Sequence, residues 1–157
     1  MRVHIAADHA GFELKEALAA HLADQGIEVT DHGAFAYDDM DDYPPMCISA
    51  AQAVVQDQAR GVEALGIVIG GSGNGEQMAA NLVDGARAAL IWNEETAALA
   101  RTHNDANVAA IGARQHPLDE ALHLADVFVE TPYPHEQRHQ RRLDMMTDYE
   151  AARCEER

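Results

Sequence analysis

The chain has 157 residues, 47% hydrophobic and 24% charged, with a formal net charge of −16 from 27 acidic and 11 basic side chains. That length suits a single domain, 1–157, with a full core, and no apolar run is long enough to span a bilayer. So acidic a surface argues against nucleic acid and anionic membranes as partners, but not against a small phosphorylated ligand held by a local field.

In chain order, residues 3–7 form a short apolar strand, with no secretory signal before it. Residues 11–24 carry the helical spacing Phe12, Leu14, Leu18, Leu22, and Gly26 closes that helix. A second strand covers 27–30. An acidic loop follows over 31–45, and its run Asp38–Asp42 reads as a solvated segment. Pro45 suits the first turn of a helix to about residue 59. Strands are expected at 66–69, 87–92 and 108–111, and helices from near 75 and over 94–102 and 118–129. After Thr131-Pro132-Tyr133-Pro134, a last helix covers about 135–152. Cys47 and Cys154 lack metal-ligand spacing and read as free thiols of a reducing, cytoplasmic setting.

Strands alternating with helices predict an α/β fold, a parallel sheet covered on both faces. Ligands in such sheets bind beyond the carboxyl ends of the strands. Asp8 and His9 follow the first strand there, Gly70 to Glu76 the third, and Gly112 and Arg114 the fifth. His103 and Asn104 instead end the fourth helix, so a bend is required to bring them to that rim.

The run Gly70-Gly71-Ser72-Gly73-Asn74-Gly75-Glu76 is neither a Walker A loop nor a dinucleotide fingerprint. It reads as an anion cradle or as a tight turn without a ligand. Glu76 sits where a helix dipole depresses a carboxylate pKa and a dry pocket raises it. Asp8 serves either as an N-cap or in a site, and His103-Asn104 either closes a helix or does chemistry. Arg138 and Arg142 share a helix face at i, i+4, as a phosphate fork or as a solvated face. Leu143, Met146 and Tyr149 continue that spacing and suggest that the helix packs on something, such as another subunit. No His, Cys or Asp group has metal-ligand spacing.

Five motifs stand in register: Ala7-Asp8-His9-Ala10-Gly11, Asp42-Tyr43-Pro44, Gly70 to Glu76, Arg101-Thr102-His103-Asn104 and Arg138-His139-Gln140-Arg141-Arg142. With them the chain closely resembles the type B ribose-5-phosphate isomerases of the ribose/galactose isomerase family, from Val3 to about Tyr149. The resemblance implies a Rossmann-like three-layer α/β/α sandwich on a five-stranded parallel sheet, plus a C-terminal helix at a dimer interface. It implies homodimers, some pairing into tetramers, with shared active sites. The activity implied is metal-independent and cofactor-free interconversion of ribose 5-phosphate and ribulose 5-phosphate through an enediolate, in the pentose phosphate pathway. One branch of the family uses a cysteine base just after the third strand. That position is Gly70 here, so the chain is similar to the branch with a glutamate base at Glu76 and a hydroxyl at Ser72. By the same resemblance His103 opens the sugar ring with help from Asp8, and Ser72 relays protons. The amides of Gly71, Ser72, Gly73, Asn74 and Gly75 hold the enediolate. Asn104 meets a sugar hydroxyl, Tyr43 belongs to the substrate-binding set, and Arg114, Arg138 and Arg142 take the phosphate with His9 and His139. The alternatives are another sugar phosphate (allose 6-phosphate, galactose 6-phosphate or a four-carbon sugar phosphate) or a non-catalytic phosphate-binding module.

Overall fold

Alternate residues of a strand face opposite sides of a sheet, and that period decides how this chain is layered. The computed structural model describes residues 1–155. Its elements are β1 (Arg2–Ala7), α1 (Phe12–Asp24), β2 (Glu28–Asp31), α2 (Tyr43–Ala59), β3 (Ala64–Gly70), α3 (Asn74–Ala80), β4 (Ala88–Leu90), α4 (Glu94–Asn104), β5 (Val108–Gly112), α5 (Leu118–Glu130) and α6 (Gln137–Glu155). The five strands form one parallel sheet in the order β2-β1-β3-β5-β4, so the α/β/α expectation holds.

One face of the sheet presents large aliphatics, Val3, Ile5, Leu65, Ile67, Ile69 and Ile111, to α1, α4 and α5. The other presents small residues, Ala6, Val68, Val108 and Ala110, to α2 and α3. Small side chains there let the two helices lie close to the backbone. A Cβ on Gly66, for example, would meet Val54 at 3.0 Å.

The strands match the sequence reading within one to three residues. Helix α2 starts two residues before Pro45, with Pro44 and Pro45 both inside its first turn, where a missing N–H costs nothing. Helix α4 runs on to Asn104, and Asp105 ends it in the left-handed region at φ 41°. Cys47 is a buried free thiol, and the Cys154 side chain lies outside the described residues. Among the described residues, no helix is long and apolar enough to cross a membrane.

One buried polar group, Lys15, ties the elements together. Lys15, the single lysine, is fully buried and pairs with Asp31 and with Glu16, the latter at 2.8 Å. Asp31 also accepts the Gly33 N–H at 2.8 Å, which anchors the loop from β2 to α2. Helix α6 packs differently. Of its described side chains only His139 and Leu143 are buried, while Met145, Met146 and Tyr149 are exposed.

Candidate active site

The carboxyl end of β3 turns sharply into α3. Gly73 takes φ 80°, and a Cβ there would meet Leu90 at 2.7 Å and the Ile111 backbone at 3.1 Å, so only glycine fits. The turn places Glu76 in the first turn of α3, 4% exposed. A Cβ on Gly70 would overlap the Glu76 carboxylate. The carboxylate therefore occupies the space that a side chain at position 70 would take. Burial pushes the Glu76 pKa up, its own backbone N–H pulls it down, and the Asp8 carboxylate pushes it up again. The net direction is upward, so burial outweighs stabilisation at the helix N-terminus.

Asp8 follows β1 and is buried beside this carboxylate. It is not the N-cap of α1. Gly11 holds that position, and Asp8 Oδ1 accepts the N–H groups of Ala10 at 2.9 Å and Gly11 at 3.2 Å. The extra turn lets Gly11 lie on Ile69, whose carbonyl oxygen would be 2.7 Å from a Cβ at position 11. Tyr43 closes the far side: its hydroxyl would stand 2.6 Å from a Cβ on Gly75. Ser72 Oγ accepts from the Asn74 side-chain amide at 3.1 Å. The backbone amides of Gly71, Ser72, Gly73 and Gly75 donate to no backbone acceptor among the described residues. Together these groups line an open cleft of about 480 Å³, with Arg114 at its edge. Cys47 lies behind it, and burial, together with the Glu76 and Asp8 carboxylates, pushes its thiol up to about 12, so it stays protonated.

The acidic loop is not wholly solvated. Asp41 is mostly buried, and its Oδ1 accepts both the backbone N–H of His9 at 3.0 Å and the ring Nδ1–H at 2.8 Å. Asp41 raises the pKa of His9, against partial burial and Arg114, with Asp8 adding to the rise. Asp8, His9 and Asp41 each offer a metal-capable atom, all within 4.8 Å of one another. Spacing along the chain gave no sign of this group, because Asp41 arrives from a different loop.

His103 and Asn104 do not reach this rim. Helix α4 runs back across the sheet without a bend, so they stand at the opposite, amino edge. There Arg87, just before β4, donates to the carbonyls of Asn104 at 3.2 Å and Asp105 at 3.0 Å. The length of β5, roughly 15 Å, separates the two edges. His103 stacks on His139, with centroids 4.2 Å apart and rings inclined by 16°. His139 is 4% exposed, so the ring lies beneath His103 instead of facing outward to a phosphate. Burial, His103 and the nearby arginines lower its pKa, against Glu136. Arg138 and Arg142 are exposed and make no ion pair among the described residues. The candidate residues thus fall into two groups. Glu76, Ser72 and the loop amides lie at the carboxyl edge, and His103, Arg138 and Arg142 at the amino edge.

Sequence reasoning missed the contact of Asp41 with His9, the place of Cys47 behind the cleft and the packing role of Gly70. The absence of a side chain at 70 was visible, but what fills its space was not.

Residues 3–146 match the family model described as Ribose/Galactose Isomerase. Ribose-5-phosphate isomerase B of Mycolicibacterium paratuberculosis is 55% identical over 150 residues, covering 96% of this chain and 92% of that protein. Ribose-5-phosphate isomerase B from Mycoplasma genitalium, solved with bound ribulose-5-phosphate, superposes with a TM-score of 0.90 at 39% identity and covers 96% of each chain. The type B ribose 5-phosphate isomerase of Trypanosoma cruzi gives a TM-score of 0.88 at 33% identity, covering 97% of each chain.

Proposed function

The chain belongs to the ribose/galactose isomerase family, and from that premise we propose that it interconverts ribose 5-phosphate and ribulose 5-phosphate. The whole chain acts as one sugar-phosphate isomerase domain. The observation that carries this reading is the buried Glu76 carboxylate facing a loop of unpaired backbone amides. Moving a proton between C2 and C1 needs a base near neutrality and a place for enediolate charge. Glu76 takes the C2 proton and returns it to C1. The amides of Gly71 to Gly75 meet the enediolate oxygens, and Ser72 passes protons between O1 and O2. These donors do without a metal what a Lewis acid would do elsewhere.

Ring opening and phosphate binding come from the other edge. Because one protomer holds its histidine and arginines across the sheet from its base, a two-fold dimer is the simplest assembly that joins them. The partner subunit's His103 then acts on the ring oxygen beside Asp8, and the partner's Asn104 meets a sugar hydroxyl. The partner's Arg138 and Arg142 converge with Arg114 and His9 on the phosphate. The exposed Met145, Met146 and Tyr149 on α6 supply the apolar contact that such a dimer needs.

Turnover of five-carbon and six-carbon sugar phosphates in the presence of EDTA tests the activity. Ribose 5-phosphate is expected to turn over at full rate, and loss of turnover with EDTA rules out the metal-free scheme. Mixing tests the shared site. Glu76→Gln and His103→Ala homodimers are each expected to be inactive. Re-equilibrated one to one, they form mixed dimers with one intact site each, and about a quarter of wild-type activity returns. No recovery, with exchange of subunits demonstrated, overturns the shared site.

A further inference from the structure

We propose that Asp41 is a positioning residue for substrate binding: it holds His9 so that the ring's second nitrogen, Nε2, donates to the phosphate of the substrate. The proposal rests on the sugar-phosphate reading above and adds a residue that reading does not use.

The geometry begins with the loop. Its start is fixed against β1, since Ala7 N–H donates to the Gly33 carbonyl at 2.7 Å and Ala34 N–H to the Ala7 carbonyl at 2.7 Å. Just before Asp41 the loop makes a turn, in which Asp38 Oδ1 accepts the Met40 N–H at 3.0 Å and the Asp38 carbonyl accepts the Asp41 N–H at 3.1 Å. A loop that is tied to β1 at its start and runs into α2 at Tyr43 presents Asp41 to His9. One carboxylate oxygen then grips the backbone and the ring of the same residue. This two-point contact sets both the position and the tautomer of the imidazole. The proton on Nδ1 belongs to the bond with Asp41, and Nε2 has no partner among the described residues.

The charge follows from the tautomer. With Nδ1–H committed, a neutral ring turns a lone pair at Nε2 toward its ligand and repels a phosphate oxygen. A protonated ring turns an N–H donor there and attracts it. The groups facing His9 are Asp8, Asp41, Arg114 and the edge of the Tyr37 ring, 6.3 Å between centroids. The two carboxylates favour the imidazolium, while Arg114 and partial burial oppose it. Removing the Asp41 charge therefore moves His9 toward its neutral form. The other Asp41 oxygen, Oδ2, is buried without a partner. Asp41→Asn fits the same space, keeps an acceptor for His9 and loses the charge, and its amide NH2 takes the place of the unpartnered Oδ2.

Two measurements test this on the intact protein. In steady-state kinetics, Asp41→Asn is expected to raise KM for ribose 5-phosphate roughly tenfold, as for one weakened charge-assisted bond, with kcat changed by less than about twofold. The alkaline limb of its kcat/KM profile is expected at lower pH, and Asp41→Glu, which keeps the charge, restores both. By NMR, the His9 ring is expected to titrate at lower pH in Asp41→Asn, and the variant to bind inorganic phosphate more weakly. The second measurement needs no turnover, so an inactive wild-type protein overturns the substrate reading without touching Asp41. An unmoved His9 titration with unchanged KM and a lowered Tm makes Asp41 purely structural and overturns the proposal.

Discussion

Replacing Glu76 with Gln is expected to lower kcat by about 10²–10⁴, the usual contribution of a positioned general base, and to abolish exchange of the C2 proton with solvent. Binding of a phosphorylated sugar acid is expected to survive, because the amides and arginines remain. The shape is conserved and only the ionisable oxygen is lost. Solvent deuterium appearing at C2 at the normal rate removes Glu76 as the base. The same substitution is expected to stabilise the fold near neutral pH. The folded state raises the Glu76 pKa, chiefly by burial. Its contribution to stability is therefore full below the unfolded carboxylate pKa and is lost as pH rises through the folded one. Above that window the wild type carries a buried charge that Glu76→Gln does not. A higher Tm for the variant at neutral pH, converging with wild type in acid, is the expected pattern. At about 2–4 °C per kcal/mol in a domain of this size, the difference is measurable. The raised pKa also places the acid limb of the pH–rate profile above the range of an exposed carboxylate.

The second large effect is expected at a residue with no side chain of its own. Gly70→Ala adds one methyl group where the Glu76 carboxylate now lies. Backbone flanks position 70 in β3, whose Gly70 is paired in register with Gly112 of β5, so the strand cannot retreat without breaking the sheet. The carboxylate has to leave instead. A displacement of about 1 Å at a reacting group can cost roughly 10² in rate, and kcat of Gly70→Ala is expected to fall by at least that factor. Adding Glu76→Gln to it is expected to cause little further loss, since both changes remove the same positioned base. Near-normal activity in Gly70→Ala would show that the carboxylate tolerates another position. For the same reason a cysteine base at 70 and a glutamate base at 76 cannot share this backbone.

The layers were legible in the sequence because they depend on local periodicity. Leu14, Leu18 and Leu22 mark α1, and the apolar run through Ile67 and Ile69 marks β3. The carboxyl-edge half of the site was legible for a related reason: strand ends project their next residues toward a common rim. His103 was harder. The bend expected to bring it to the carboxyl rim is absent, and the helix ends in a left-handed Asp105 at the far edge. Asp41 was hidden among acids of similar appearance in one run, of which this one is held against His9. His139 is a second case: its stacking beneath His103 could not be read from its place in the basic run. In both cases the deciding information is a contact between elements, which periodicity does not carry.

The separation of base and arginines by the full length of the sheet couples substrate to assembly. In the proposed shared-site dimer, a sugar phosphate that touches Glu76 of one protomer and Arg142 of the other binds the pair more tightly than either alone. Linkage then runs in both directions: whatever factor association adds to substrate affinity, substrate adds to the association constant. In that proposed dimer substrate would act as a molecular staple, and association would be strongest when both sites are filled.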